Sequence, residues 1–280
     1  MLAYRHLFHA GNFADVFKHA LLTRLLIALR QKEKPFCYLD THAGTGRYDL
    51  RHAWAEKARE YANGIGRIWS RADAPEPLIP YLKAVRAENP DGALRFYPGS
   101  PRIARGLIRP GDRLVLTELN KRDCADLVSL FSGDSQVHVA CMDGYQALKA
   151  FLPPKERRGM VLLDSSFDRA GEFARIVEAL LAATRRWATG IYAVWYPLME
   201  PAAMRRFERD VVDSGIRKIL QLELTVAPES WSATMRGCGM LIVNSPWKLD
   251  AEAKLLLAWL ADALAEPGSG GSSVRWLVPE

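Results

Sequence analysis

Asp164-Ser165-Ser166-Phe167 follows directly on the aliphatic run Met160-Val161-Leu162-Leu163. A short apolar run of that kind reads as a buried strand, so a carboxylate, a bend and an aromatic ring arrive together at one sheet edge. The set suits a flat molecule bearing an amino group. The Asp164 carboxylate and the Ser165 carbonyl can accept the two amine hydrogens while the Phe167 ring stacks on the plane. Three other strand ends offer related groups. The first strand runs into Asp40-Thr41-His42-Ala43-Gly44-Thr45-Gly46, a turn in which missing side chains let backbone amides approach a ligand. Glu118 ends the second strand and Asp143-Gly144 follows the third. Ligands of open α/β sheets bind beyond the carboxyl ends of the strands, so Gly44, Gly46, Glu118, Asp143, Gly144 and Asp164 should meet in one crevice. Each acid alone is equally well explained as a helix cap; their recurrence at successive strand ends is not.

The elements that must position these residues alternate along the chain. Strands are expected at Phe36–Asp40, Arg113–Glu118, Gln136–Met142, Val161–Asp164, Ile191–Tyr196, Lys218–Val226 and Gly239–Asn244, with a last one at Val274–Val278 after a flexible Pro267–Ser273. Helices are expected at Asn12–Lys32, Arg102–Ile108, Asp123–Phe131, Gly144–Phe151, Phe173–Trp187, Pro201–Asp213 and Ala251–Ala265. Such alternation implies an α/β fold, a Rossmann-like seven-stranded, mostly parallel sheet covered on both faces. In dinucleotide-binding units the acid for the ribose hydroxyls lies about 20 residues past the glycines, whereas Glu118 lies far beyond that, which implies an insertion on the order of 50 residues. Residues 48–97 fill it with a helical composition punctuated by Pro75, Pro77, Pro80 and Pro90, dividing the chain into 1–47 with 98–280 and the inserted 48–97. At its end, Tyr97-Pro98-Gly99-Ser100-Pro101 offers Ser100 as an N-cap with Pro101 as the first helical residue.

At 280 residues, 49% hydrophobic and 25% charged, the chain has the size and composition of one large globular domain with an insertion. It contains no apolar segment of the roughly 18 to 20 residues that a membrane helix needs, so a cytoplasmic protein with no membrane partner is expected. Cys37, Cys124, Cys141 and Cys238 stand singly, suggesting neither a disulfide framework nor a zinc site. A formal charge of +6 permits a polyanionic partner without requiring one. Arg47, Arg51 and Arg59 beside the insertion are the basic residues best placed for such a partner. Lys155, Arg157 and Arg158, the pair Arg185-Arg186, and Arg205, Arg206 and Arg209 read first as solvated faces. His6, His9, His19 and His42 lack a carboxylate at ligand spacing, and no metal is expected.

Asp164-Ser165-Ser166-Phe167 resembles the Asp-Pro-Pro-Tyr signature of enzymes that methylate the exocyclic nitrogen of adenine, with serine in place of both prolines. Over essentially its whole length the chain resembles the RlmJ family. The resemblance is carried by the stretch from Tyr4 to His19, by Leu39–Tyr48, by Tyr97-Pro98-Gly99-Ser100-Pro101, by Trp195-Tyr196-Pro197 and by the final Trp276–Glu280. It implies a class I methyltransferase that uses S-adenosylmethionine to methylate adenine N6 in 23S ribosomal RNA, working as a monomer. It further implies a cofactor site formed by Lys18, His19, His42, Gly44, Ser100, Glu118, Asp143, Gly144 and Asp164, with Tyr4 and His6 on the RNA. Asp164, with Ser165 and Phe167, would carry catalysis.

Two points of competence remain in the sequence. Prolines would fix φ and remove competing donors next to the acid, whereas serines keep the carbonyls but add freedom, so a working but slower site is expected. Asn244-Ser245-Pro246-Trp247 also resembles an amino-methylase signature. The last strand of a seven-stranded methyltransferase is inserted antiparallel, which would carry Asn244 to the far edge and leave Asp164 as the candidate. Two other readings stay open: a cofactor-binding, RNA- or DNA-binding protein with weakened catalysis, and a role in DNA processing or uptake.

Overall fold

A computed structural model describes residues 5–168, 170–228 and 235–280. After a short turn at His6–Phe8, helix α1 (Phe13–Arg30) is apolar almost all round and lies buried against the sheet. Asn12 starts it, its side chain accepting from the Asp15 amide at 2.9 Å as an N-cap does. Strands β1 (Cys37–Asp40) and β2 (Arg47–Asp49) precede the helices of the insertion, α2 (Ala53–Ala58), α3 (Ile65–Ile68) and α4 (Ile79–Ala87), and β3 (Phe96–Pro98) closes it. There follow α5 (Ser100–Leu107), β4 (Arg113–Thr117), α6 (Lys121–Leu130), β5 (Val137–Ala140), α7 (Gly144–Phe151), β6 (Gly159–Leu163), α8 (Glu172–Arg186) and β7 (Ile191–Pro197). The chain ends through α9 (Pro201–Asp213), β8 (Ile219–Thr225), β9 (Gly237–Val243), α10 (Leu249–Leu264) and β10 (Gly271–Val278).

The main sheet has the order β10-β8-β9-β7-β6-β1-β4-β5. β1 pairs in parallel with β4 and β6, β4 with β5, and β6 with β7; β9 runs antiparallel to both β7 and β8, and β10 antiparallel to β8. Side chains of the central strands alternate between two cores, as a sheet covered on both faces requires. Tyr38, Leu114, Met160 and Leu162 face α1, α5 and α10, while Leu39, Val115, Val161 and Leu163 face α7, α8 and α9.

Three expectations need correction. The main sheet has eight strands rather than seven because the last strand joins it through β8, and that strand, β10, starts at Gly271 and takes in three residues of the expected flexible Pro267–Ser273, pairing Ser272 and Ser273 with Leu224 and Glu223. Small residues carry no strand periodicity, so composition alone misread them. The insertion is not wholly helical: Arg47, Tyr48 and Asp49 pair antiparallel with Pro98, Tyr97 and Phe96, closing it at its neck. Cys124 and Cys141 form a disulfide with their Cα atoms 5.7 Å apart, because α6 lies beside the loop that follows β5, a proximity invisible in single cysteines far apart in the chain.

Close backbone approach fixes a glycine at the edge of the sheet where the acids gather. A Cβ on Gly144 would meet the Thr41 carbonyl oxygen at 2.2 Å, so the start of α7 sits on the β1 loop. Gly144→Ala is expected to destabilise the fold by about 1–3 kcal/mol, read as a lower urea midpoint at unchanged slope.

Candidate active site

The carboxyl ends of β1, β4, β6 and the β5–α7 loop open into a cleft of about 900 Å³, roofed by the N-terminal turn and the insertion. Asp164 is the first residue past β6 and Glu118 the first past β4, each therefore held by the strand before it. Lys18 reaches up from α1 and places its Nζ 2.6 Å from Asp164 Oδ2 and 2.9 Å from Asp15 Oδ1. Asp15 Oδ2 accepts in addition from the Gly11 amide and pairs with His6 Nε2, both at 2.9 Å. Burial would push the Asp15 carboxyl up, but His6 and Lys18 beside it hold it well below the usual range. Lys18, only 5% exposed, is opposed by burial yet held charged by Asp15 and Asp164, far above the ordinary lysine range.

The glycine turn takes the form its sequence demands. Gly44 and Gly46 have φ of +59° and +78°, the left-handed region that glycine enters without penalty. The Gly44 amide donates to Glu118 Oε2 at 2.9 Å and the Asn120 amide to Oε1 at 2.7 Å, so Glu118 spans the turn and the start of α6. Burial raises the Glu118 carboxyl above its ordinary value. Asp143 caps α7 through the Tyr145 and Gln146 amides, and Arg175 of α8 donates to its other oxygen at 2.9 Å. Although burial works against it, those amides and Arg175 keep the Asp143 carboxyl below its usual range. Arg175 also lies 4.0 Å above the Tyr145 ring, whose hydroxyl donates to the buried Glu172.

The other expected residues divide. His42 lines the cleft, bonded to Thr41 Oγ1 at 2.8 Å, and burial lowers its imidazole. His19 is enclosed beside Tyr97 Oη at 2.8 Å, and burial drives its imidazole down to about 3, so it is neutral at physiological pH. Ser100 is not an N-cap: Gly99 caps α5 and Ser100 is its first helical residue, because its hydroxyl is drawn to the Asp40 carboxylate instead. Ser165 is buried, Ser166 is exposed, and Phe167 sits at φ +55° with its ring 4.9 Å from Phe173 and 5.9 Å from Trp195. Tyr4 lies outside the described residues. The four histidines go to separate partners, and no group of three or more metal-binding side chains occurs among the described residues.

Asn244 ends β9 at the opposite sheet edge, donating to the Ala188 and Gly190 carbonyls at 2.8 and 2.7 Å, and Trp247 is 88% exposed. The antiparallel insertion of β9 thus separates the rival motif from the cleft. Arg158 and Arg186 are also spent at that edge, on the carbonyls of Leu29 and Lys34 and of Lys149 and Leu152. Sequence reasoning missed Asp15, Asp40, Tyr145 and Arg175. Only Asp15 left a signal, its i,i+3 spacing from Lys18 on one helix face.

The lining suits a cationic, donor-rich ligand. Nine carboxylate side chains border the cleft against Lys18 and Arg175, although the chain as a whole is basic. A sulfonium, an ammonium, a ribose diol and an adenine amine all find acceptors there. The residues therefore fit S-adenosylmethionine.

An open α/β sheet with a glycine turn after its first strand and acids at the following strand ends defines a Rossmann-like methyltransferase. The family model described as "Ribosomal RNA large subunit methyltransferase D, RlmJ" matches residues 33–278. The chain is 46% identical to Ribosomal RNA large subunit methyltransferase J of Escherichia coli over 280 residues, with both chains covered in full. It is 45% identical to the Haemophilus influenzae protein of the same name over 281 residues, again covering both. A crystal structure of protein LPL1258 from Legionella pneumophila, 38% identical, superposes with a TM-score of 0.89 over 96% of this chain and 98% of that one. The chain belongs to the RlmJ family of ribosomal RNA large subunit methyltransferases.

Asp40, fully buried beneath the cleft, is raised by its burial to about 6 despite hydrogen bonds from Ser100 and Tyr38. A carboxyl raised on folding stabilises the protein below its unfolded value, and this contribution is lost as pH climbs from about 4 through about 6. Asp40→Asn should remove a stability loss of about 2–3 kcal/mol between pH 4 and 7, visible in a comparison of unfolding midpoints against pH.

Proposed function

We propose that the chain methylates the N6 amino group of an adenine in 23S ribosomal RNA, as a cytoplasmic monomer acting on RNA that is free or early in assembly. Ribosomal RNA methylation is the activity of the family to which the chain belongs. Among the described residues no helix is long and apolar enough to cross a membrane.

The observation that carries the reading is the Lys18–Asp164 contact at 2.6 Å within an acid-lined cleft. The lone pair of an adenine amine is delocalised into the ring, so the amine becomes nucleophilic only when acceptors draw its hydrogens out of plane. A carboxylate paired to an ammonium offers acceptors alone. With Oδ2 held by Lys18, Oδ1 of Asp164 and the Ser165 carbonyl are left for the amine hydrogens. The Phe167 ring, backed by Phe173 and Trp195, offers a surface for the base.

S-adenosylmethionine supplies an electrophilic methyl group when bound. Glu118 would take the ribose hydroxyls and Asp143 the adenine amine, and His42, Ser100 and the Gly44 backbone would complete the wall beside Lys18, His19 and Gly144. The insertion, residues 48–97, acts in this reading as a separate subdomain over the RNA side of the cleft, with His6 at its mouth and Tyr4 assigned to the RNA. In the resembling signature prolines stiffen the loop. Here Lys18 holds Asp164 from outside it.

Asp164→Ala should lower methyl transfer by about 10²–10⁴-fold, whereas Asn244→Ala should leave it within about twofold and weaken only the fold, by about 1–2 kcal/mol. Labelled methyl incorporation into 23S RNA, with cofactor binding followed by calorimetry, separates the two. Equal loss in both variants would contradict the assignment.

A further inference from the structure

The outer face of the N-terminal turn carries an aromatic and basic surface that methyl transfer itself does not use. Phe8 stacks on Trp54 of α2, with centroids 5.4 Å and planes 11° apart, and His52 stands edge-on to the same indole at 5.4 Å. Trp54 remains 38% exposed, so packing consumes one side of the indole and leaves the other open. His6 and His9 of the same stretch line the cleft, which puts this platform beside its mouth.

Charge distinguishes the two surfaces. The cleft is bordered by carboxylates and repels phosphate, so the backbone on either side of an inserted base must lie outside it. Around Trp54 the exposed Arg51, Lys57 and Arg59 offer the opposite sign, and the Arg59 side chain is 68% exposed at the left-handed cap of α2. Of the neighbouring acids, Glu56 accepts from the Tyr61 hydroxyl at 2.7 Å and lies 4.0 Å from Arg59, a loose exposed pair that a phosphate can replace, and Glu60 is bonded to His9 and Asn12, each at 3.0 Å. A base drawn into the cleft leaves its neighbours unstacked, and an open indole flanked by cations is the usual remedy.

We propose that Trp54, backed by Phe8, stacks a nucleobase adjacent to the one entering the cleft, while Arg51, Lys57 and Arg59 take the neighbouring phosphates of single-stranded RNA. The assignment rests on the reading of RNA as the substrate, but it concerns binding and is measured without turnover.

The test is fluorescence anisotropy with two short single-stranded oligoribonucleotides that share one backbone length, one carrying bases throughout and one abasic. Trp54→Ala should weaken binding of the base-bearing strand about tenfold and leave the abasic strand unchanged, and Trp54→Phe should restore most of the loss. Arg51→Ala with Lys57→Ala should weaken both strands and lower the salt slope by roughly one for each phosphate no longer neutralised. Unchanged melting temperature and unchanged S-adenosylmethionine binding show that the variants are folded. Equal affinity of wild type and Trp54→Ala for the base-bearing strand, or equal losses on both strands, would overturn the proposal. Base-dependent binding through Trp54 in a protein that transfers no methyl group would uphold it and overturn the catalytic reading instead.

Discussion

An ammonium buried as deeply as that of Lys18 survives only with opposite charge in direct contact, and the architecture of the cleft follows from supplying it. Two carboxylates meet the one ammonium, Asp15 from the same helix and Asp164 from the end of β6. Removing one member of such a group strands the others and costs about 3–5 kcal/mol, so helix and strand end are fixed to each other far more firmly than loop packing alone would manage. The surplus negative charge faces the cleft, where a cationic ligand is drawn in. The Gly11 amide and His6 satisfy the second oxygen of Asp15, which ties the N-terminal turn into the same unit.

The rest of the site is a matter of strand ends. Parallel β1, β4 and β6 deliver the Gly44 turn, Glu118 and Asp164 to one edge, and Gly144 has no side chain because the Thr41 carbonyl occupies that space. The same topology disposes of the competing motif. β9 enters antiparallel between β7 and β8, so Asn244 spends its amide on carbonyls at the far edge, and its resemblance to a catalytic signature has no chemical consequence there.

Much of this was legible in the chain before any coordinates. Aliphatic runs ending in Glu118, Asp143 and Asp164 placed the acids at strand ends, and the sheet gathers them as the parallel rule requires. What escaped was of another kind. Asp15 and Lys18 are visibly one turn apart, but their third partner lies 146 residues from Lys18, and no periodicity reports such a contact. Ser100 has the composition of a cap, yet a buried Asp40 makes a stronger claim on its hydroxyl. The glycines and serines at the start of β10 follow a neighbour's register rather than a pattern of their own, and the Cys124–Cys141 pair depends on how two β–α units lie side by side.

Serine in place of both signature prolines leaves the acceptor geometry to long-range contacts, and whether those contacts produce the proposed chemistry is a question about the product. The direct measurement is nucleoside analysis of 23S ribosomal RNA after incubation with the wild-type protein and S-adenosylmethionine labelled in its methyl group. The label is expected as N6-methyladenosine at a single site. Label in a ring carbon, a ribose hydroxyl or a different base, or none in RNA despite bound cofactor, would contradict it.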